Sequence, residues 1–379
     1  MSSNGALATP DAPALVDVVA LGESMVAFLP ARPGRLADVP SFDRAIGGAE
    51  SNVACALAAA GHTARWVGRV GADGFGDHLV GAIAAYGVDV CAVRRDPDRP
   101  TGVYFRTGGD RAGAGHEVAY YRAGSAASAM GVGTVDLAAV RAGRVLHLSG
   151  ITAALSGDCL DLLRELTAPR PGRPLVSFDV NHRPSLWRGR RGADGPRLLL
   201  DLARGADLVF VGEDEAREAW GLDGPEALRD ALPEPAALVV KQGRGGATVL
   251  DREGGVTFAP ALRVDVVAEV GAGDAFAAGY LSATLRGLPV RDRLRHGHLM
   301  AAAALTVPGD LAPPPARDHA DRLAALDDAA WGRLRLGPGW TGRTADGRGK
   351  DGTGRAPHPA VADRTGRAAH RAEEERRTP

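Results

Sequence analysis

The sequence contains little cysteine, almost no lysine and almost no net charge. Its three cysteines are too few and too scattered for a disulfide framework or a zinc site, and we expect each to be a small buried apolar residue. Only Lys241 and Lys350 are lysines among 45 basic residues, which we attribute mainly to biased base composition. A formal net charge of −1 gives no field that attracts polyanions, so we expect neither a nucleic-acid nor a membrane-surface partner.

Long hydrophobic runs are missing as well. No stretch reaches the roughly 18 unbroken apolar residues of a membrane span. Residues 1–17 lack the basic start and apolar run of a secretory signal, so we expect a cytoplasmic protein. The 379 residues, 45% hydrophobic and 24% charged, are typical of a soluble globular protein with one large α/β domain or two smaller ones.

The order of the predicted elements indicates the fold class. Short β-branched runs alternate with longer Ala/Leu-rich periodic segments. Strands are predicted at Val16–Leu21, Arg65–Val70, Arg144–Leu148, Leu175–Val180, Leu208–Val211 and Leu238–Lys241. Helices are predicted at Ser51–Ala60, Asp77–Tyr86, Gly157–Leu166, Glu213–Trp220 and Ala275–Leu285. Because the strand runs show no polar alternation, we predict an α/β fold with a doubly wound, mostly parallel sheet flanked by helices.

Three stretches depart from this alternation. Residues 23–47 and 94–129 contain short, partly polar strands, which predict a small antiparallel β-sheet that forms a lid or a dimer surface. Residues 332–379 are rich in Gly, Arg, Thr and Pro and hold eleven basic and six acidic side chains. Such a segment buries too little apolar surface to offset its ordering entropy, so we predict a disordered basic tail after a folded body at 16–331.

Two glycine-rich turns lead directly into helices. In the first, Gly271-Ala272-Gly273 precedes Asp274 and a run of small residues. Its exposed N–H groups and the helix dipole make it a candidate anion hole, although Asp274 is also a common type of helix cap. In the second, Gly47 and Gly48 precede the polar first turn Glu50-Ser51-Asn52, which suits sugar hydroxyls or an ordinary capped helix.

Together the two turns resemble the signature regions of the ribokinase/PfkB family of carbohydrate kinases, and the resemblance runs from about residue 16 to about residue 308. In that family the Asp of the second region is the general base, and the amides of its turn hold the transferring phosphoryl group. The resemblance therefore implies that Asp274 is the base and that Gly271, Ala272 and Gly273 form the hole. Phosphoryl transfer needs positioning, stabilised charge and a proton acceptor, which agrees with this assignment.

Further segments narrow the resemblance to 2-keto-3-deoxygluconate kinases, which phosphorylate O6 of a keto-deoxy sugar acid. These segments are Gly22–Met25, Tyr120–Ala126, His147–Thr152 and Asp179–Arg183. The resemblance implies that Gly48 and Asn52 bind sugar hydroxyls and that the substrate is surrounded by Tyr104, Tyr120, Arg122 and Arg183. The guanidinium fork suits a carboxylate, although either arginine would also serve as a structural ion-pair partner or face ATP phosphates.

The nucleotide side rests on weaker patterns. The turn after the strand at Leu238–Lys241 resembles one that lies along the nucleotide phosphates, which implies a role for Lys241, Gly243, Gly245 and Gly246. A plain hairpin turn explains the same glycines. Glu215 matches the end of a metal-linked Asn-x-x-Glu motif whose first position is Gly212 here. Mg²⁺ is expected mainly on the nucleotide phosphates and bound waters.

The sequence therefore favours an ATP-dependent kinase of a keto-deoxy sugar acid, with Asp274 as its general base. A fructokinase- or ribokinase-like enzyme of a neutral sugar is the first alternative. The second is a sugar- or nucleotide-binding homologue with impaired catalysis, because Gly212 departs from the metal-linked motif, and because Ala268 and Glu269 stand where the family has an Asp-Thr or Asp-Pro pair. We also expect a homodimer or higher homo-oligomer, since the edges of a small open sheet must be covered.

Overall fold

The computed structural model describes residues 13–107, 117–188 and 194–342. The strands in these ranges are β1 (Val16–Leu21), β2 (Met25–Pro30), β3 (Phe42–Gly47), β4 (Ala64–Val67), β5 (Arg69–Gly71), β6 (Arg94–Asp96), β7 (Val103–Arg106), β8 (Val118–Tyr121), β9 (Gly143–Ser149), β10 (Leu175–Asp179), β11 (Leu208–Gly212), β12 (Ala237–Lys241), β13 (Gly246–Asp251), β14 (Val256–Pro260), β15 (Arg263–Val264) and β16 (Arg335–Leu336). The α-helices are α1 (Ala49–Ala59), α2 (Gly74–Ala85), α3 (Leu137–Arg141), α4 (Gly150–Ala153), α5 (Gly157–Thr167), α6 (Pro184–Trp187), α7 (Gly195–Arg204), α8 (Glu213–Trp220), α9 (Gly224–Ala231), α10 (Ala272–Leu285), α11 (Val290–Leu305), α12 (Arg317–Ala324) and α13 (Asp328–Arg333).

The main sheet has the strand order β14-β13-β12-β11-β10-β9-β1-β4 in the described part of the chain. Neighbouring strands from β4 to β12 are parallel, and β13 and β14 continue the sheet as antiparallel strands. The predicted doubly wound, mostly parallel sheet is therefore confirmed. Helices cover both of its faces, so a parallel strand such as β1 is apolar along nearly its whole length.

Strand β1 shows how the two faces divide the core. Val19 and Leu21 pack into a cluster with residues of α5 and α7, whereas Val18 faces a second cluster with residues of α1 and α10. Successive side chains of a strand point to opposite faces, which explains the division. The second cluster fixes α1 and α10 on the same face, so that their N-terminal ends lie at the same edge of the sheet.

The small sheet lies outside the main one, as predicted, and has the order β3-β2-β7-β8. The β2–β3 and β7–β8 pairs are antiparallel, but β2 and β7 are parallel. The prediction of a purely antiparallel sheet is wrong at this pair. The connection from β3 to β7 passes through α1 and α2, and such a long crossover allows β7 to run in the same direction as β2.

The C-terminal boundary of the folded body lies beyond residue 331. Helix α13 continues to Arg333, and β16 pairs with β15. Leu336 is buried in a cluster with Trp331, whose indole donates to the carbonyl of Pro260 at 2.9 Å. The predicted tail at 332–379 therefore begins too early, because the Gly- and Arg-rich composition around Leu336 hid a short paired strand. Residues 343–379 of that prediction lie outside the described residues.

The cysteine prediction is correct for two positions. Cys55 and Cys159 are buried, but Cys91 is exposed in the loop between α2 and β6. Among the described residues, no helix combines the length and the apolar character that crossing a membrane would require.

The paired C-terminal strand leads to a test of the boundary. A chain ending at residue 331 should unfold at a lower temperature than a chain ending at residue 342, because it loses the β15–β16 pair and the buried Leu336. The loss should be about 2 kcal/mol or more, which is the value of one buried leucine side chain. Equal denaturant midpoints for the two chains would place residues 332–342 outside the stable fold.

Candidate active site

A cleft of about 420 Å³ opens where β10, β11 and β12 end, beneath the small sheet and beside the N-termini of α1 and α10. This is the edge at which open parallel sheets usually bind their ligands. The predicted site residues that line the cleft are Gly48, Asn52, Tyr104, Tyr120, Arg122, Arg183, Glu215, Lys241, Gly271, Ala272, Gly273 and Asp274. Gly243, Gly245 and Gly246 do not line it.

Helix α10 begins at a position that only glycine fits. Gly271 has a φ of 73°, and a Cβ on it would overlap with the carbonyl oxygen of Asp310. The first N–H groups of a helix have no acceptor within the helix, so this turn presents donors and the positive end of the dipole to the cleft. Further along α10, Gly279 lets the helix pack closely on α11 at His296. The predicted anion hole is thus held on a tightly packed helix.

Asp274 lies in the first turn of α10 and meets α1. The side-chain nitrogen of Asn52 donates to Asp274 Oδ2 at 2.9 Å. Burial raises the pKa of Asp274 to about 7, with help from the carboxylates of Asp179 and Asp310, although Asn52 and Lys241 favour the charged form. A carboxyl group with a pKa in this range can both accept and release a proton near neutral pH.

Only Asn52 of the three polar residues that open α1 lines the cleft. Ser51 instead bonds Ser24 at 3.0 Å, and Glu50 is fully buried and accepts from the Thr152 hydroxyl at 2.7 Å. Burial raises the pKa of Glu50 to about 8. The suggestion that the whole polar turn meets hydroxyl groups is therefore wrong for two of its three side chains, because the helix turns them into the protein.

A lysine–aspartate pair occupies the ends of β12 and β10. Lys241 Nζ lies 2.8 Å and 3.1 Å from the two carboxylate oxygens of Asp179. Burial works against the charged ammonium, but Asp179 and Glu215 outweigh it and raise the pKa of Lys241. Lys241 therefore stays protonated near Asp274 at neutral pH.

The small sheet reaches the turn before α10 through Asp310. Arg106 Nη2 lies 2.7 Å from Asp310 Oδ1, and the Tyr104 hydroxyl lies 3.5 Å from Oδ2. The carbonyl of the same aspartate packs behind Gly271. Burial raises the pKa of Asp310, against the opposing effect of Arg106. The β7 strand, Asp310 and the start of α10 thus form one connected unit.

Arg122 is already engaged in an ion pair. Its guanidinium contacts the buried carboxylate of Glu23, which also accepts from the Ser125 hydroxyl at 2.9 Å. The guanidinium carbon also lies 5.7 Å from the centre of the Tyr120 ring. Arg122 lines the cleft, as predicted. It also forms a structural ion pair with Glu23, which was the alternative role for this arginine.

Arg183 and Glu215 both bond to the backbone of His182, just after the end of β10. The Arg183 guanidinium donates to the His182 carbonyl at 3.0 Å. Glu215 accepts from the N–H of Gly212 at 2.9 Å and from the N–H of His182. Burial and Asp179 raise the pKa of Glu215. Glu215 is therefore held by the backbone at the start of α8 while it still lines the cleft.

The glycines after Lys241 serve the β-hairpin between β12 and β13. Gly243 has a φ of 56° in the turn, and a Cβ on Gly246 would overlap with the carbonyl of Ala259. These positions require glycine for the backbone alone. The hairpin alternative therefore accounts for them, and a nucleotide contact by this turn stays a prediction.

Sequence reasoning missed four charged residues of the cleft. They are Glu23, Arg106, Asp179 and Asp310. Asp179 carried a usable signal, since it ends a buried strand at the functional edge of a parallel sheet. Asp310 carried none, because it lies in a Pro- and Gly-containing loop after α11. Glu269, which stands where the family has an Asp-Thr or Asp-Pro pair, is exposed and pairs with Arg244 at 3.5 Å. The backbone carbonyl of Asp310 packs against Gly271, and the carboxylate of Asp310 adds to the effect of burial in raising the pKa of Asp274.

Comparison with known proteins places this arrangement in a family. The model of the pfkB family carbohydrate kinases matches residues 16–317. The chain belongs to the PfkB family of carbohydrate kinases. It is 36% identical to a 2-dehydro-3-deoxygluconokinase of Bacillus subtilis, over 80% of this chain and 94% of the relative. It is 34% identical to a 2-dehydro-3-deoxygluconokinase of Thermoproteus tenax, over 83% of this chain and 96% of the relative.

A solved structure supports the same family assignment. The crystal structure of a PfkB protein from Polaromonas sp. JS666 superposes with a TM-score of 0.69 at 36% identity, over 76% of this chain and 95% of that one. The protein is therefore an enzyme, a transferase that phosphorylates a carbohydrate. The predicted family and enzyme class are confirmed.

The cleft also limits how a magnesium ion would be held. In the three described ranges, no three metal-ligating side chains form a group suited to a metal ion. Glu215 lines the cleft, but both of its oxygens already accept backbone N–H groups. These residues fit an ion carried mainly by nucleotide phosphates, with Glu215 reaching it through water, and they do not form an all-protein cage.

The buried carboxyl group of Asp274 should make stability depend on pH. The pKa of Asp274 is higher in the folded protein than in the unfolded chain. The contribution of this carboxyl group to the free energy of unfolding is therefore complete at low pH, and it is lost as the pH rises toward about 7. Asn at this position does not titrate. We expect Asp274→Asn to raise the melting temperature more at pH 8 than at pH 4.5. Asp158→Asn, in the exposed first turn of α5, is the control. Equal shifts at both pH values would contradict the raised pKa.

Proposed function

We propose that the protein transfers the γ-phosphoryl group of ATP to the primary hydroxyl of a 2-keto-3-deoxy sugar acid, with Asp274 as general base. One observation carries the proposal. Asp274 is held by Asn52 at the N-terminus of α10, directly after a turn whose N–H groups face the same cleft. A proton acceptor and an anion hole are thus adjacent, as phosphoryl transfer to a hydroxyl requires.

In this proposal each wall of the cleft has its own task. Asn52 and Gly48 bind sugar hydroxyls and orient the acceptor toward Asp274. Asp274 takes the hydroxyl proton while the N–H groups of Gly271, Ala272 and Gly273 stabilise the charge on the transferring group. The short, rigid α10 start keeps these donors in place before the reaction, so little reorganisation is needed.

Two features support an acid as the sugar substrate. Arg122 and Arg183 line the same cleft as the start of α10, and guanidinium groups bind carboxylates in a planar, bidentate manner. The two relatives named above are 2-dehydro-3-deoxygluconokinases, whose name describes a keto-deoxy sugar acid. Tyr104 and Tyr120, whose ring centres lie 5.5 Å apart, would pack against the sugar from the small sheet.

ATP and Mg²⁺ belong to the same proposal. The nucleotide would lie along the ends of β11 and β12, with its phosphates toward Lys241 and the turn that contains Gly243, Gly245 and Gly246. Mg²⁺ would neutralise phosphate charge, and Glu215 would orient the waters around it. The small sheet would act as the lid over the sugar.

A neutral sugar is the second candidate, and one observation favours it. Arg106 and Arg122 already pair with Asp310 and Glu23, so each brings its own carboxylate to the cleft. Paired arginines offer less charge to a sugar acid, and carboxylates accept hydrogen bonds from hydroxyl groups. A fructokinase- or ribokinase-like activity would follow from this arrangement.

The remaining expectations concern location and assembly. We expect the enzyme to be cytoplasmic, because ATP is available there as the phosphate donor. A homodimer or higher oligomer would cover the outer face of the small sheet, where Tyr121 is 65% exposed. Both stay proposals.

A substrate panel separates the two candidate sugars. The wild-type enzyme should turn over a 2-keto-3-deoxy sugar acid with a kcat/KM at least tenfold above that for fructose or ribose. Arg122→Met should lower kcat/KM for the acid by about tenfold to a hundredfold, as expected for a lost charge-assisted bond, and affect a neutral sugar less. Coupled detection of ADP measures both. Preference for a neutral sugar would favour the second candidate, and no turnover would favour a binding homologue.

Replacement of the base tests the mechanism directly. Asp274→Asn should lower kcat by about a hundredfold to ten-thousandfold while sugar binding, measured by calorimetry, is retained. Asp158→Asn serves as the matched control, because it also changes an acidic residue in the first turn of a helix. Near-normal kcat in Asp274→Asn would remove Asp274 from its assigned role.

A further inference from the structure

We propose that Lys241 contacts the transferring phosphoryl group itself and is a catalytic residue, rather than an anchor for the nucleotide. The inference rests on the proposed phosphoryl transfer and deepens it. The sequence grouped Lys241 with the glycines of the following turn, but the structure separates them. Lys241 lines the cleft, whereas Gly243, Gly245 and Gly246 do not.

The ammonium group of Lys241 lies beside the turn that opens α10. Nζ lies 3.8 Å from the point that a Cβ on Gly273 would occupy. Gly273 belongs to the turn that presents its N–H groups to the cleft, one residue before Asp274. In the other direction, no atom outside Gly243 and its two chain neighbours lies within 4 Å of the corresponding point on Gly243. The lysine side chain thus points toward the anion hole and away from its own hairpin turn.

The side chain of Lys241 is held in place by the carboxylate of Asp179. Asp179 ends β10 and Lys241 ends β12, with β11 between them, so the lysine spans the end of one strand to reach its partner. The Asp179 side chain is 4% exposed and that of Lys241 is 21% exposed. A buried carboxylate that accepts two contacts from Nζ fixes the ammonium group in place. One of its three N–H donors is then left for a ligand in the cleft.

A cation held in this position stabilises a phosphoryl group during its transfer. In the transfer, the sugar oxygen forms a bond to the γ-phosphorus while the bond from that phosphorus to the bridging oxygen breaks. The electron pair leaves with ADP, and the hydroxyl proton passes to Asp274. Lys241 keeps its proton throughout and binds a non-bridging oxygen of the moving group. Its charge adds to that of the N–H donors where negative charge is concentrated.

The presence of a lysine at this position supports the proposed contact, because nearly all other basic residues of the chain are arginines. In the part of the chain that the structure describes, Lys241 is the only lysine. A compact ammonium group fits between Asp179 and Gly273, whereas a planar guanidinium fork is wider and longer. An arginine at this position would keep the positive charge but would place it away from the position of the lysine ammonium group.

Kinetics of the full-length enzyme distinguish a catalytic contact from a nucleotide anchor. With the best substrate of the panel, Lys241→Met should lower kcat by about a hundredfold to a thousandfold, the range for losing one preorganised donor. The KM for ATP should change less than fivefold. Lys241→Arg should also lose at least tenfold in kcat, because the charge is retained in the wrong place.

Arg173→Met is the matched control. Arg173 pairs with Asp207 at 2.8 Å and is similarly buried, but this pair lies near the opposite ends of β10 and β11. It should lower the melting temperature to a similar degree without a change in kcat beyond twofold. The control therefore separates loss of a buried ion pair from loss of a catalytic group.

Any one of three results would overturn the inference. A large increase in the KM for ATP with unchanged kcat in Lys241→Met would make Lys241 a nucleotide anchor, and unchanged kcat and KM would leave it no role in the reaction. Absence of wild-type turnover with every sugar would contradict the proposed function separately. Hydrolysis of γ-labelled ATP, in which water replaces the sugar, then tests Lys241. Equal hydrolysis rates in the wild type and Lys241→Met would reject the inference.

Discussion

The hydrogen bond from Asn52 to Asp274 joins two helices that start 223 positions apart in the chain, and the site depends on it. It brings the polar start of α1 against the glycine-containing turn that opens α10. Both helices cover the same face of the main sheet, where residues of α1 and α10 share one apolar cluster. The core therefore sets the distance between the two halves of the cleft, and the bond fixes the orientation of the carboxyl group.

Charge in the cleft is arranged in pairs. Lys241 meets Asp179, Arg106 meets Asp310 and Arg122 meets Glu23, and each pair combines partners from different elements. Buried charges are costly unless they are paired, so the cleft gathers many ionised groups without isolating any of these six. The same pairing determines how much charge each group can offer to a ligand. Bulk near-neutrality of the chain says nothing about this local arrangement.

Much of the fold and part of the site were predictable from the sequence. The apolar run at Val16–Leu21 predicted a central parallel strand with the right bounds, since a strand covered on both faces needs no polar alternation. The glycine before α10 was predictable from its sequence, because a helix that starts in a tight turn needs it. The parallel β2–β7 pair and the role of Asp310 were not predictable. Both depend on which distant segments meet, and neither leaves a local pattern.

Asp310 has a consequence that reaches across the cleft. Its carboxyl group contacts Arg106 and Tyr104 of the small sheet, while its carbonyl packs behind Gly271. A displacement of β7 would therefore act through one residue on the turn that opens α10. In the proposed reaction, an acceptor that shifted β7 would change the affinity for the phosphate donor, and the donor would change the affinity for the acceptor by the same factor. The loop that contains Asp310 would then couple the binding of the two substrates before any chemistry takes place.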